Sequence, residues 1–182
     1  RTILKQVHGP GNYRVVGKDV LLARTWAAVG DTVRALAHAD SAWNALQDRV
    51  QALQKGVVPP RSMQPHLLPD AIYWKVRTER ALGRSDENDA HQRLIDLAIT
   101  SLQRDKSTMT DENSRLTLIG AQQRLFDLGL ELAYARYQQT GTEADLQRFL
   151  DLSEADRAIL LKSRLNAFSG MRFAGVPDEV VA

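Results

Sequence analysis

No cysteine occurs anywhere in the 182 residues. That excludes disulfide cross-links, thiolate metal centres and a cysteine nucleophile within this chain. It also lacks an unbroken apolar run of the roughly 18 or more residues that a membrane-spanning helix needs, and no signal-peptide pattern opens it. The chain begins with Arg1 and ends on Val180-Val181-Ala182, which reads as a piece of a longer protein. Charge of one sign is missing too, with 24 basic residues set against 22 acidic ones for a net of +2. Nucleic-acid affinity comes from neutralising several phosphates at once, which requires a clustered basic stripe. The densest group, Arg77, Arg80 and Arg84, is interrupted by Glu79 and followed by Asp86-Glu87, the pattern of a solvated helix face. A nucleic-acid partner is not expected.

Hydrophobic residues at 43% and charged ones at 25% suit a water-soluble globular chain. The spacing predicts an all-α fold of about six helices in one region spanning 1–182, a length that buries about 70% of the unfolded surface when compact. The first helix is expected over Asp19–Val29, after a turn-rich approach, with Leu22, Ala23 and Trp26 inward. Gly30 supplies its left-handed end and Asp31 caps the next. That second helix is expected to run unbroken from Thr32 to about Gln54 through Ala35, Ala39, Ala42, Leu46, Val50 and Leu53. Small residues along the seam, with Trp26 and Trp43 filling the rest, are how a tetratricopeptide (TPR) hairpin is built, although the proline that normally ends its second helix is absent at Gln47. Residues 56–69 form a Pro-rich loop holding Pro59, Pro60, Pro65, Pro69 and His66, either a plain connection or a docking loop.

Helix three is expected over Asp70–Leu82, with Ile72, Val76, Thr78 and Leu82 inward and Trp74 on a flank. Ser85 caps helix four, whose stripe is Leu94, Ile95, Ala98, Ile99 and Leu102, fading at Asp105. Thr110 caps helix five, where one stripe uses Leu116, Ile119, Phe126, Leu130, Ala133 and Tyr137. A second stripe uses Leu118, Leu125, Leu128 and Leu132, so this helix should have neighbours on two sides. Gly141 closes it, and Thr142 with Asp145 forms a capping box for helix six, which buries Phe149, Leu152, Ile159 and Leu160. Residues 169–182 are a non-helical tail.

Motifs able to carry chemistry are few. Gly11 to Gly17-Lys18 has one residue too many for a phosphate-binding loop, and Asp19 stands where a hydroxyl is required. Glu87 and His91 share a helix face but offer only two ligands, so a surface pair is expected, with no metal or cofactor. His38 reads as an interhelical or solvent-edge residue. No Gly-x-Ser-x-Gly elbow exists, and the Ser, His and Asp residues show no catalytic order. Trp26, Trp43, Trp74, Tyr134 and Tyr137 read as core or groove residues.

The order of parts in the last third is more specific. Glu112-Asn113-Ser114-Arg115-Leu116, Tyr137-Gln138-Gln139-Thr140-Gly141, Leu152-Ser153-Glu154-Ala155-Asp156-Arg157-Ala158 and Phe173-Ala174-Gly175-Val176-Pro177-Asp178 follow one another. This series resembles the helical region upstream of the protease in CHAT-family proteins, caspase-like peptidases carrying TPR repeats. The resemblance covers most of the chain and is clearest after Asp111. It implies TPR-like antiparallel hairpins stacked as an α-solenoid, and a catalytic His and Cys downstream of Ala182. It also implies inter-domain contact through Glu154, Arg157, Phe173 and Val176, with Asp156 departing from the small polar residue of the family run. The expected function is a bacterial, cytoplasmic protein-interaction scaffold that controls such a protease and is not itself an enzyme. Its partner would be another protein or the protease domain. A helical ligand-binding or enzymatic bundle is the alternative.

Overall fold

The structure, a computed structural model, describes residues 12–56, 66–84, 88–108 and 112–157. These residues are all-α, and no strand occurs among them. The helices are α1 (Tyr13–Ala28), α2 (Thr32–Ala45), α3 (Gln47–Gln54), α4 (Leu67–Ala81), α5 (Asn88–Thr108) and α6 (Glu112–Thr140). A seventh, α7, covers 143–157. The chain divides into two compact units, Arg1–Leu132 and Ala133–Ala182, each described below by itself.

In the first unit, α1 starts at Tyr13, ahead of the expected Asp19. The Asn12 side chain caps it by accepting from the Arg14 N–H at 2.9 Å, and Val15, Val16 and Val20 give the added turns a buried stripe. Gly17 is therefore helical and belongs to no phosphate loop. At the far end Gly30 takes φ 83, and the Asp31 N–H reaches back to the Trp26 carbonyl at 2.9 Å. Only glycine enters that left-handed region without steric cost, so the turn closes as the sequence predicts.

The second expected helix is not continuous. It stops at Ala45, and Leu46 sits between α2 and α3 with φ −102 and ψ 3, buried in the core. Its N–H closes a tighter bond onto the Trp43 carbonyl at 3.0 Å, a local departure that the heptad-like spacing of Ala42, Leu46 and Val50 conceals. The next expected start is also displaced. Helix α4 begins at Leu67, and Pro69 lies in its first turn, where an N–H has no intrahelical acceptor to lose. Leu82, predicted inward, is 40% exposed. Helix α5 runs past Asp105 to Thr108, while Ser85 and Thr110 lie outside the described residues.

Alanines make the α1–α2 seam: Ala23, Ala35, Ala39 and Ala42 are wholly buried and let the helices approach closely. The register is antiparallel, since Asp19 meets His38 and Ser41 while Trp26 meets Arg34. Helix α4 packs on α1, α2 and α5 through Leu68, Ala71, Ile72 and Val76. Two ion pairs join α4 to α6, Asp70–Arg124 at 3.4 Å and Arg80–Glu131 at 3.0 Å. Both residue numbers rise together, so α4 and α6 run parallel. Phe126, Leu125, Leu128 and Leu132 are buried, as both stripes of α6 require. Leu130 is only half-buried. The side chains of Leu116, Leu118 and Ile119 lie outside the described residues.

In the second unit the last turns of α6 pack on α7. Tyr134 and Phe149 rings lie 5.9 Å apart, and Arg136 pairs with Asp145 at 2.7 Å. Gly141, φ 64, closes α6. The Asp145 N–H then donates to Thr142 Oγ1 at 3.3 Å, while the Thr140 and Thr142 hydroxyls both donate to Asp145 Oδ2. The predicted capping box is thus formed, with Thr140 as an added donor. Phe149 and Leu152 are half-buried, and Ile159, Leu160 and the 169–182 tail lie outside the described residues.

Phe126→Ala should cost about 3–5 kcal/mol, and Leu130→Ala measurably less, because its site is half-buried. Urea unfolding of both variants checks the ranking. Thr142→Ala should cost about 0.5–2 kcal/mol through loss of the cap. The Thr140 and Thr142 hydroxyls, then the Arg136 guanidinium, hold the Asp145 carboxyl below its usual range. Its stabilising contribution is present above the ordinary aspartate value and disappears as pH falls through the lowered one. Melting temperatures of wild type and Asp145→Asn should therefore converge on acidification.

Candidate functional site

Three polar constellations hold the functional candidates of the first unit. In the first, between α1 and α2, the buried Asp19 accepts from His38 Nδ1–H at 3.1 Å through Oδ1 and from the Ser41 hydroxyl at 2.9 Å through Oδ2. Serine, histidine and aspartate have come together, but in the wrong order for acyl transfer. A nucleophilic serine must give its proton to the histidine, whereas Ser41 donates to the carboxylate. His38 is interhelical, as expected, and its role is to pin α1 to α2.

The second lies where α2, α4 and α5 meet. Glu79 is buried, with Oε1 accepting from Lys75 Nζ at 2.7 Å and Oε2 from His91 Nε2 at 3.1 Å. Lys75 also donates to Asp40 at 2.6 Å, and Arg84 stands 3.8 Å from Glu79. Burial opposes the Lys75 charge, but hydrogen bonds to Asp40 and Glu79 outweigh it and raise its pKa. His91, expected on the surface beside Glu87, is fully buried and faces Glu79 instead. The i, i+4 spacing was sound as geometry. It could not show that α4 supplies a carboxylate to the other side of the ring.

The third is a cleft of about 330 Å³ lined by residues from α1, α4 and α6. Gly17, Val20, Leu21 and Arg24 form its α1 wall, with His66, Leu67, Asp70 and Trp74 along α4 and Arg124 from α6. Asp70 is the only carboxylate in the lining. Burial pushes its carboxyl above the ordinary range, partly offset by the positive charges of Arg124, His66 and Arg24. Arg124 also lies over the Tyr73 ring at 5.5 Å, and Tyr73 meets Trp74 edge to face at 5.1 Å. His66 was singled out by its place in the Pro-rich stretch. Arg24, Asp70 and Arg124 carry no sequence signal, since 54 residues separate the ion-paired partners Asp70 and Arg124.

The residues predicted for inter-domain contact are only partly in view. Glu154 and Arg157 are both exposed on α7, and no ion pair joins them among the described residues. Phe173 and Val176 lie outside those residues. The Arg77, Arg80 and Arg84 group is engaged internally: Arg77 donates to the Tyr73 hydroxyl at 2.9 Å, Arg80 pairs with Glu131, and Arg84 approaches Glu79. No group of three or more His, Asp or Glu able to hold a metal occurs among the described residues. Nor is any described helix long and apolar enough to cross a membrane. Comparison with protein-family models, curated proteins and solved structures found no match for this chain.

Asp70→Asn should raise the melting temperature at neutral pH. The raised carboxyl contributes stability in its protonated form, fully present below the ordinary aspartate value near 4 and lost as pH rises through the folded value. The gain should shrink as pH drops below about 4, which thermal melts across pH 3–8 would reveal.

Proposed function

We propose that the chain is a protein-interaction scaffold, a TPR-like helical array that precedes and regulates a caspase-like CHAT protease. The observation that supports this most is the alternation within the first unit. Gly17 and Leu67 adjoin at one end of the cleft and Arg24 and Asp70 belong to its charged side, so α1 follows α4 in direction as α4 follows α6. The intervening α2 packs on both α1 and α4, and α5 packs back on α4. First helices side by side, with second helices behind them, is the arrangement by which solenoid repeats present one continuous binding layer. The protease setting rests on the sequence resemblance, above all the Phe173–Asp178 run. In this reading the chain is bacterial and cytoplasmic, uses no cofactor and does no catalysis itself. Its partner is a protein or the protease domain, Glu154 and Arg157 supply exposed contacts toward it, and nucleic acid has no role. A ligand-binding helical bundle is the second reading, favoured by the cleft.

Two measurements test the scaffold reading. The reading frame beyond Ala182 should encode a His…Cys pair of caspase type, and a frame without one removes the protease from the proposal. In that longer protein, deleting residues 12–157 should change the peptide-cleavage rate at least about fivefold, the low end of ordinary coupling between sites. An unchanged rate and unchanged substrate choice would sink the regulatory role.

A further inference from the structure

The cleft between α1, α4 and α6 has one end made of charge and another made of hydrocarbon. Arg24, Arg124 and His66 line it together with Asp70 as the single acidic group. Even with Asp70 ionised and His66 neutral, the lining carries a surplus positive charge. Arg124 is only loosely committed, standing 3.4 Å from Asp70 Oδ1, at the long limit of a hydrogen bond. Arg24 makes no hydrogen bond or ion pair to any described residue, although its charge reaches Asp70. Helix α4 begins at the same place, and its start has no side-chain cap, so the positive end of its dipole is not neutralised by one. Opposite these groups, Val20, Leu67 and Trp74 provide an apolar wall, and Gly17 adds no side chain to the space.

From these features we infer that the cleft binds a small organic anion. A carboxylate or phosphate head group pairs with Arg24 and Arg124, and a flat or aliphatic body lies against Val20, Leu67 and Trp74. Guanidinium groups suit both head groups because their planar forks match the oxygen geometry of either. The apolar wall demands more than a bare ion, and the surplus charge disfavours a cation despite Asp70. The volume of about 330 Å³ is at the small end of ligand sites, in keeping with a compact metabolite-sized molecule and not a peptide segment. This inference goes beyond the scaffold proposal and stands or falls apart from it, since it concerns the isolated chain and not the activity of a protease.

The test is a titration of the whole chain followed by the Trp74 indole N–H resonance, assigned with a Trp74→Phe variant. The probes are 3-phenylpropionate, phenyl phosphate, inorganic phosphate and benzyl alcohol. Saturable, millimolar or tighter binding is expected for one or both organic anions, with inorganic phosphate and benzyl alcohol at least about tenfold weaker. The tighter of the two organic anions identifies the head-group chemistry. Arg24 is exposed, so Arg24→Gln should fold normally and weaken the organic anion about tenfold. Three outcomes overturn the inference. These are no saturable shift with either organic anion, benzyl alcohol binding as tightly as they do, or an affinity unchanged in Arg24→Gln whose circular dichroism matches wild type.

Discussion

Glu79 is the group on which the arrangement of the first unit turns. A carboxylate buried between helices is tolerable only when its oxygens are occupied, because desolvating an unpaired charge costs several kcal/mol. Lys75 and His91 occupy them, from the same helix and from α5, and Lys75 carries the connection on to Asp40 of α2. One buried acid therefore fixes the register of three helices. Hydrophobic burial alone would not do so, since Ala71, Ile72 and Val76 could slide past neighbouring apolar residues with modest loss. Removing one member strands the others, so the network specifies geometry more than it adds stability.

The same device recurs at the α1–α2 seam, and the contrast between the two is instructive. Alanines along that seam allow close approach but offer little shape to choose one register over another. Asp19, gripping His38 and Ser41 together, supplies the choice. Where side chains are large, as around Phe126 and Leu132, no buried acid is found in the described contacts and interlocking shape can set the register.

Periodicity in the sequence revealed the helices because each amphipathic face repeats locally. It placed Ala35, Ala39 and Ala42 inward, gave α6 two buried stripes, and identified the Thr142–Asp145 cap from four adjacent residues. What it missed has two physical origins. The break at Leu46 and the early starts at Tyr13 and Leu67 depend on where single residues find burial or a cap, and apolar spacing runs through such points without changing. His91, Glu79, Arg24, Asp70 and Arg124 depend on which helices become neighbours. Charged residues on a helix face look alike whether they meet water or another helix, so His91 read as exposed and the cleft was invisible.

The cleft is where these two demands conflict. The pins at Asp19 and Glu79 satisfy their buried acids with close partners, at 2.7 to 3.1 Å. Asp70 does not reach that state: its nearest cation stands at 3.4 Å, and burial still outweighs the surrounding positive charge. If the sole purpose of the group were to fasten α4 to α6, a closer pair would serve better, and Arg80–Glu131 already supplies one at 3.0 Å. A poorly satisfied acid beside an uncommitted Arg24 leaves positive charge unspent at the open side of an apolar wall. Stability alone does not favour that arrangement, whereas a site that completes its electrostatics by taking in an anion requires it.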